Sequence, residues 1–176
     1  MKTSRFLLPV AFAAVLFAGC ASLSSVPAFD PADGRVTVTF DHPEKFTDAR
    51  DGSFHDTAAW ILNDLAAFLQ RDIRGRLHEG EKFSMTFTDV DLAGDYEPWR
   101  GPDMDDVRII KQIYPPRLVF RFVHTGANGK VIDHGDVTLT DLGFQRWTPM
   151  GRSDPLYYEK DLLRSWVRQT LTTEIK

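Results

Sequence analysis

Two hydrophobic periods alternate along the chain. In "RVTVTF", Val36, Val38 and Phe40 point one way and the threonines the other, as in a half-buried strand. From His55 to Leu77 the apolar positions become Trp60/Ile61, Leu65, Phe68/Leu69, Ile73 and Leu77, spaced for one face of a helix. Asp56 or Thr57 is placed to cap its start, and Gly75 or Gly80 to mark its end. "KFSMTFTD" returns to strand alternation with Phe83, Met85 and Phe87 inward, and "RLVFRFVH" repeats it with Leu118, Phe120 and Phe122. Asn128-Gly129 then leads into "KVIDHGDVTLTD", the signal of a β-hairpin. A second helix follows Asp154-Pro155, with Leu162/Leu163, Trp166/Val167 and Thr170/Leu171 recurring at helical spacing. Between these elements, residues 93–116 form a long loop rich in Gly, Pro and acids, where Val107, Ile110 and Ile113 suggest a short helix. The order predicts an α+β domain: an antiparallel sheet of about four strands with two main helices packed on one face.

The first residues follow another logic. Lys2 and Arg5 precede a short apolar run from Phe6 to Phe17, then small residues and the only cysteine, Cys20. The run is too short to span a bilayer comfortably, so residues 1–19 read as a secretory signal. "LFAGC" resembles the lipobox of bacterial lipoproteins, in which the cysteine after the cleavage site carries lipid; Phe17 replaces the usual Leu or Val. A lone cysteine cannot form an internal disulfide, and lipidation at Cys20 accounts for it. Residues 20–34 then read as a flexible tether and 35–176 as a single domain. Ala21, rather than Asp, follows the cysteine, which the lipoprotein resemblance associates with the outer membrane.

Removing 19 of 176 residues leaves 157, enough for a core of its own, and takes the formal charge from −4 to −6 with the loss of Lys2 and Arg5. An acidic exported chain is a poor nucleic-acid binder, and "QRDIRGRLHEGEK" reads as a solvated face laced with acids.

Several longer strings carry a family resemblance. "DHPEKFTDAR", "FTDVDLAGDY", "DDVRIIKQIYPPRLVFRF", "LTDLGF" and "DPLYYEKDLLRSW" are similar to the bacterial family called domain of unknown function 3016, over most of residues 36–168. The resemblance implies a small exported lipoprotein or periplasmic protein. It transfers no catalytic residue.

Candidate chemistry centres on the acids from Asp89 to Glu97. Counted from Asp89, an EF-hand calcium loop would find Asp91 and Gly94 in place, but Ala93 and Arg100 stand where ligands are required. The five histidines show no zinc spacing, so no metal or cofactor is expected; His134 within "DHGD" reads as surface strand beside a bulge at Gly135. Strand parity aims Asp89 and Asp91 inward after Phe87, and Asp141 inward after Leu139. Inward carboxylates require cations, and Arg108, Lys111 and Arg117 follow on the long loop, so Asp89, Asp91, Asp141, Arg108 and Arg117 are the expected clamp. Trp60, Trp147 and Trp166 read as packing residues. Tyr96, Trp99 and Arg100 read as an exposed partner or glycan surface. Two functions follow. The first is an envelope-anchored binding or assembly module with a membrane anchor at Cys20 and an envelope protein as partner. The alternative is a metal-binding protein or hydrolase using the Asp89–Glu97 acids.

Overall fold

The computed structural model describes residues 25–27, 34–52, 55–146 and 153–172. Residues 1–19, expected as a leader, lie outside them with Cys20 and Trp147, as does most of segment 20–34, expected as a tether; Ser25–Pro27 of that segment forms the short edge strand β1. The sheet continues with β2 (Val36–Asp41), β3 (Lys82–Asp91), β6 (Arg117–Thr125) and β7 (Val131–Thr140), in the order β1-β2-β3-β6-β7. Helix α1 (Ala59–Arg74) connects β2 to β3, and α2 (Tyr157–Thr172) closes the chain. The α+β class holds, with one correction: β2 and β3 run parallel, so the sheet is mixed. A strand–helix–strand connection is long enough to return the chain in the same direction. The order of elements alone does not distinguish the two directions, and Thr37 and Ser84 keep one face of this parallel pair in solvent, whereas parallel strands are usually covered on both faces.

The covered face holds the core. Val36, Val38, Phe40, Phe83, Met85, Phe87, Leu118 and Phe120 are each at most 1 % exposed, beneath Ile61, Leu65, Leu69 and Ile73 of α1 and Leu163 and Val167 of α2. Trp166 stands edge-on to three rings, with centroids 4.8 Å from Phe120, 5.1 Å from Phe122 and 6.3 Å from Phe83. Trp60, by contrast, is 43 % exposed and donates its indole N–H to Asp51 at 2.9 Å. It lies on the outer face of the first turn of α1, beside Ile61 and Leu62, which are each 1 % exposed. Neither Asp56 nor Thr57 caps this helix: its N-cap is Ala58, and the Thr57 hydroxyl donates instead to the Pro43 carbonyl at 2.6 Å. Lys160 of α2 bridges Asp64 of α1 at 2.7 Å and Asp154 at 2.9 Å, tying the two helices together.

At the β6–β7 hairpin, Gly129 adopts φ 77°, a left-handed value that glycine takes without penalty. The Asn128 carboxamide oxygen accepts from Lys130 N at 2.9 Å and completes the turn. The bulge in this ladder falls between Thr125 and His124, opposite Val131 and Asp133, rather than at Gly135; Gly135 stays in register opposite Phe122.

Residues 107–113 hold no helix. Asp95–Tyr96 (β4) pairs antiparallel with Arg108–Ile109 (β5), placing Tyr96 opposite Arg108. Among the described residues, no helix is long and apolar enough to cross a membrane.

Phe120 should be a sensitive sheet position, since it touches both Phe87 and Trp166. Burying a phenylalanine contributes about 1.5–3 kcal/mol, and the cavity left by Phe120→Ala should bring the loss to about 3–5 kcal/mol. Urea denaturation measures this directly; a loss below about 1 kcal/mol would mean that the ring is not held in the core.

Candidate functional site

The acid cluster sits where β3 runs out of the sheet, and a single extra residue decides its geometry. Phe87 pairs with Phe120 and Asp89 with Val119, leaving Thr88 as a bulge. A bulge of one residue reverses which side chains face the core. Val90 therefore turns inward, 0 % exposed opposite Leu118, and Asp89 and Asp91 turn to the open face. The inward aim expected from parity is corrected by this bulge.

Asp89 is nonetheless well partnered. It accepts from Arg117 at 2.6 Å, from Thr47 N at 2.8 Å and from the Thr47 hydroxyl at 2.9 Å. Arg108 reaches neither Asp89 nor Asp91. Its two terminal nitrogens grip Asp48 at 2.8 and 3.0 Å, and donate further to the carbonyls of Gly94 at 3.1 Å and Arg50 at 3.0 Å. The guanidinium also lies 4.5 Å from the Tyr96 ring centroid, and the Tyr96 hydroxyl donates to the same Arg50 carbonyl at 3.2 Å. Asp48, 5 % exposed, accepts in addition from Arg50 Nε at 3.1 Å. Burial works to raise its carboxyl pKa, but the Arg108 and Arg50 guanidiniums outweigh that and hold it below the usual carboxylate range.

A second knot closes the loop. Glu97, 2 % exposed, accepts from Lys111 at 2.5 Å, from the Tyr114 hydroxyl at 3.0 Å and from Arg100. The Lys111 hydrogen bond, against the opposing effect of burial and with help from Arg100 and Tyr114, takes its carboxyl down to about 2. Gly94 turns the chain between the knots at φ 83°, where an added Cβ would come within 2.6 Å of Ile110 Cδ1 and 2.8 Å of the Ile109 carbonyl. Only glycine fits there. From α2, Glu159 Oε1 accepts from Ala93 N at 2.7 Å; the side chain is 1 % exposed, its Oε2 is buried without a hydrogen bond, and burial pushes its pKa up.

Asp91 is left over. Its segment runs beside Asp48 in a parallel bridge, with Asp48 N donating to the Val90 carbonyl at 2.9 Å and Leu92 N to the Asp48 carbonyl at 3.0 Å. Asp91 makes no side-chain hydrogen bond among the described residues and lines a cleft of about 300 Å³ with Thr47, Tyr114, Arg117 and Thr140. Burial, then the charges of Asp48, Asp89 and Asp95, push its carboxyl up to about 6; Arg117 offsets this only in part.

The remaining candidates separate. Asp141 accepts from Gly143 N at 2.8 Å in a local turn and joins neither knot. Tyr96, expected on an exposed surface, is only 7 % exposed because its ring lies under Arg108, and Arg100 is engaged by Glu97; Trp99 remains open at 73 %. His124 is buried, with Nε2 3.3 Å from Glu81, and His134 is exposed on β7. Among the described residues no three His, Cys, Asp or Glu side chains are grouped to hold a metal ion. Asp48 and Glu159 escaped the sequence reading. Asp48 lies on no periodic element that reveals its direction, and the string "FTDAR" gives no hint of Arg108, 60 residues away. Glu159 stands one turn before Leu163 on the apolar face of α2, so its burial was readable from the helical period although its partner was not.

Asp91 makes the stability of the fold depend on pH. In the folded state its proton is held up to about 6; an unfolded aspartate releases it near about 4. Between those values the folded state binds more protons, so this group's contribution falls as pH rises through about 6. Asp48 and Glu97 act oppositely: their contributions are present above the ordinary carboxylate range and lost as pH falls through their lowered values. Asp91→Asn should therefore add about 1–2 kcal/mol at pH 7.5, after allowance for partial solvent screening, and nothing at pH 4. Urea denaturation at both pH values checks this; equal effects at the two would rule out a raised Asp91.

Comparison with known proteins places the chain in a family. The model of the family described as Protein of unknown function (DUF3016) matches residues 34–169, which takes in every described element from β2 to the body of α2. No curated protein and no solved structure matches the chain.

Proposed function

The chain belongs to the DUF3016 family, and from that starting point we propose that it is an envelope-anchored lipoprotein whose α+β domain acts as a binding or assembly module. The anchor is a lipid on Cys20, placed by "LFAGC" after a leader of residues 1–19. With Ala21 behind it, the domain faces the periplasm from the outer membrane, on the lipobox resemblance described above. Stable attachment by acyl chains needs more than one of them, as bacterial lipoproteins carry.

The observation that carries the choice of a binding module over a catalyst is the occupation of the acid cluster. Hydrolysis by carboxylates needs two that can act together on a substrate, one holding a proton and one ionised. Here Asp89 is taken by Arg117 and Thr47, Asp48 by Arg108 and Arg50, and Glu97 by Lys111, Arg100 and Tyr114. Trp99 offers an envelope partner an open aromatic beside Arg100.

The alternative, a hydrolase or metal-binding protein, has one observation in its favour: Asp91, which makes no side-chain hydrogen bond among the described residues, lines a cleft and has a raised pKa. One carboxylate of this kind is a proton carrier without a companion, and the binding reading accounts for more of the site.

Cys20→Ser tests the anchor. Fractionation of cells should show that the variant has left the membrane fraction or is retained with its leader uncleaved. Normal processing together with normal membrane attachment would contradict the lipoprotein reading.

A further inference from the structure

A second polar cavity lies away from the acid cluster, between the last turns of α1 and the middle of α2. It measures about 380 Å³ and is lined by Phe68, Arg71, Asp72, Gly75, Arg76 and Arg164. Three guanidiniums and the Asp72 carboxylate line it, and Asp161 pairs with Arg164 beside it, a formal excess of 3 − 2 = +1 on a chain whose net charge is −4. From sequence this stretch reads as a solvated face laced with acids; of these, Asp72 lines the groove, while Glu81 is held by His78 N and lies beside His124. Arg71 and Arg76 reach the groove from α1 and the residues after it, and Arg164 comes from the other helix.

Two of the three cations are held in place. Arg76 donates Nε and one terminal nitrogen to Asp72, both at 3.4 Å. Arg164 lies 5.0 Å from the Phe68 ring centroid and 3.5 Å from Asp161. The Arg71 side chain has no hydrogen bond or ion pair among the described residues. A basic last turn also suits the negative end of a helix dipole, which accounts for Arg71 on α1. It does not account for Arg164, which sits in the middle of α2.

We propose that this groove binds the phosphate group of an anionic ligand. Planar guanidiniums set around a cavity suit the several oxygens of a phosphate, each taking paired N–H donors. A carboxylate offers these forks two oxygens, whereas a phosphate monoester offers three and carries close to two negative charges near neutral pH. The Phe68 ring beside Arg164 gives an apolar wall for the carbon skeleton next to the phosphate. The phosphate is carried by a lipid headgroup or is free in solution, and the same chemistry serves both.

The full chain, purified in neutral detergent, separates these sources by isothermal titration at low salt. The titrants are inorganic phosphate and monomeric dihexanoyl phosphatidic acid, with dihexanoyl phosphatidylcholine as the zwitterionic control. At least one of the two phosphate titrants should saturate a site, more weakly as salt is added, and lose about tenfold or more in affinity in the Arg71→Gln/Arg164→Gln variant. Equal binding of both titrants assigns a free phosphate group; binding of phosphatidic acid alone assigns a lipid headgroup. The detergent makes the result independent of the anchor at Cys20. Asp72→Asn removes the competing carboxylate and should tighten binding, which carries the test if the double variant does not fold. Wild-type titrations no stronger than those of the double variant, or an Asp72→Asn affinity equal to wild type, would overturn the proposal.

Discussion

Everything at the open end of this sheet depends on the need of one half-buried guanidinium for partners. Arg108 presents its donors to Asp48, to the Gly94 and Arg50 carbonyls and, through its face, to the Tyr96 ring. These groups come from two separate stretches, the segment after β2 and the turn after β3 that leads into β4, and Arg108 itself brings in a third, the return of the long loop. None of them belongs to the main sheet. An arginine taken out of water without such partners would be costly, and so would an unpaired Asp48. The loop therefore has one arrangement that satisfies both charges. The β4–β5 pair is its local consequence, because Tyr96 can lie under the guanidinium only if Arg108 stands opposite it.

The same arrangement leaves a residue of unfavourable charge. Carrying Asp48 alongside β3 sets it opposite Asp91, a like charge at the closest place in a parallel bridge. Arg108 answers Asp48 and Arg117 answers Asp89, so the third carboxylate keeps its proton to about pH 6. On this view the raised Asp91 is a by-product of a clamp, which is why the proposed function places binding ahead of acid–base catalysis. The arginine groove at the far side of the helices differs in kind. Its cations outnumber the carboxylates that face them, and that is the condition for taking up an anion from outside.

The sequence was legible where side chains follow a period. Val36 to Phe40, Phe83 to Phe87 and Leu118 to Phe122 declared their faces, and Asn128-Gly129 declared the hairpin. Reading stopped where a period is interrupted by one residue. The bulge at Thr88 reversed the direction of Asp89 and Asp91, and no residue type announces a bulge of that kind. The pairing of Asp89 with Arg117 survived this reversal because both lie on the same face of adjoining strands once β3 has shifted. The partners of Asp48 and Glu159 were out of reach for a different reason: 60 and 66 residues distant, they meet them through the fold, and the sequence neighbourhoods carry no trace of it. The parallel β2–β3 pair was hidden by the threonines and serine on its solvent face.

A double-mutant cycle on Asp48→Ala and Arg108→Ala in the full chain tests the clamp most directly. Each single substitution leaves a desolvated charge short of its partners, Arg108 without Asp48 or Asp48 with Arg50 alone, and should cost about 3–5 kcal/mol in urea denaturation. The double substitution removes both charges and should cost little more than the worse single, giving a coupling of about 2–3 kcal/mol. Additive losses, with the double variant paying the full sum, would show that Arg108 and Asp48 act independently and that something else holds the loop.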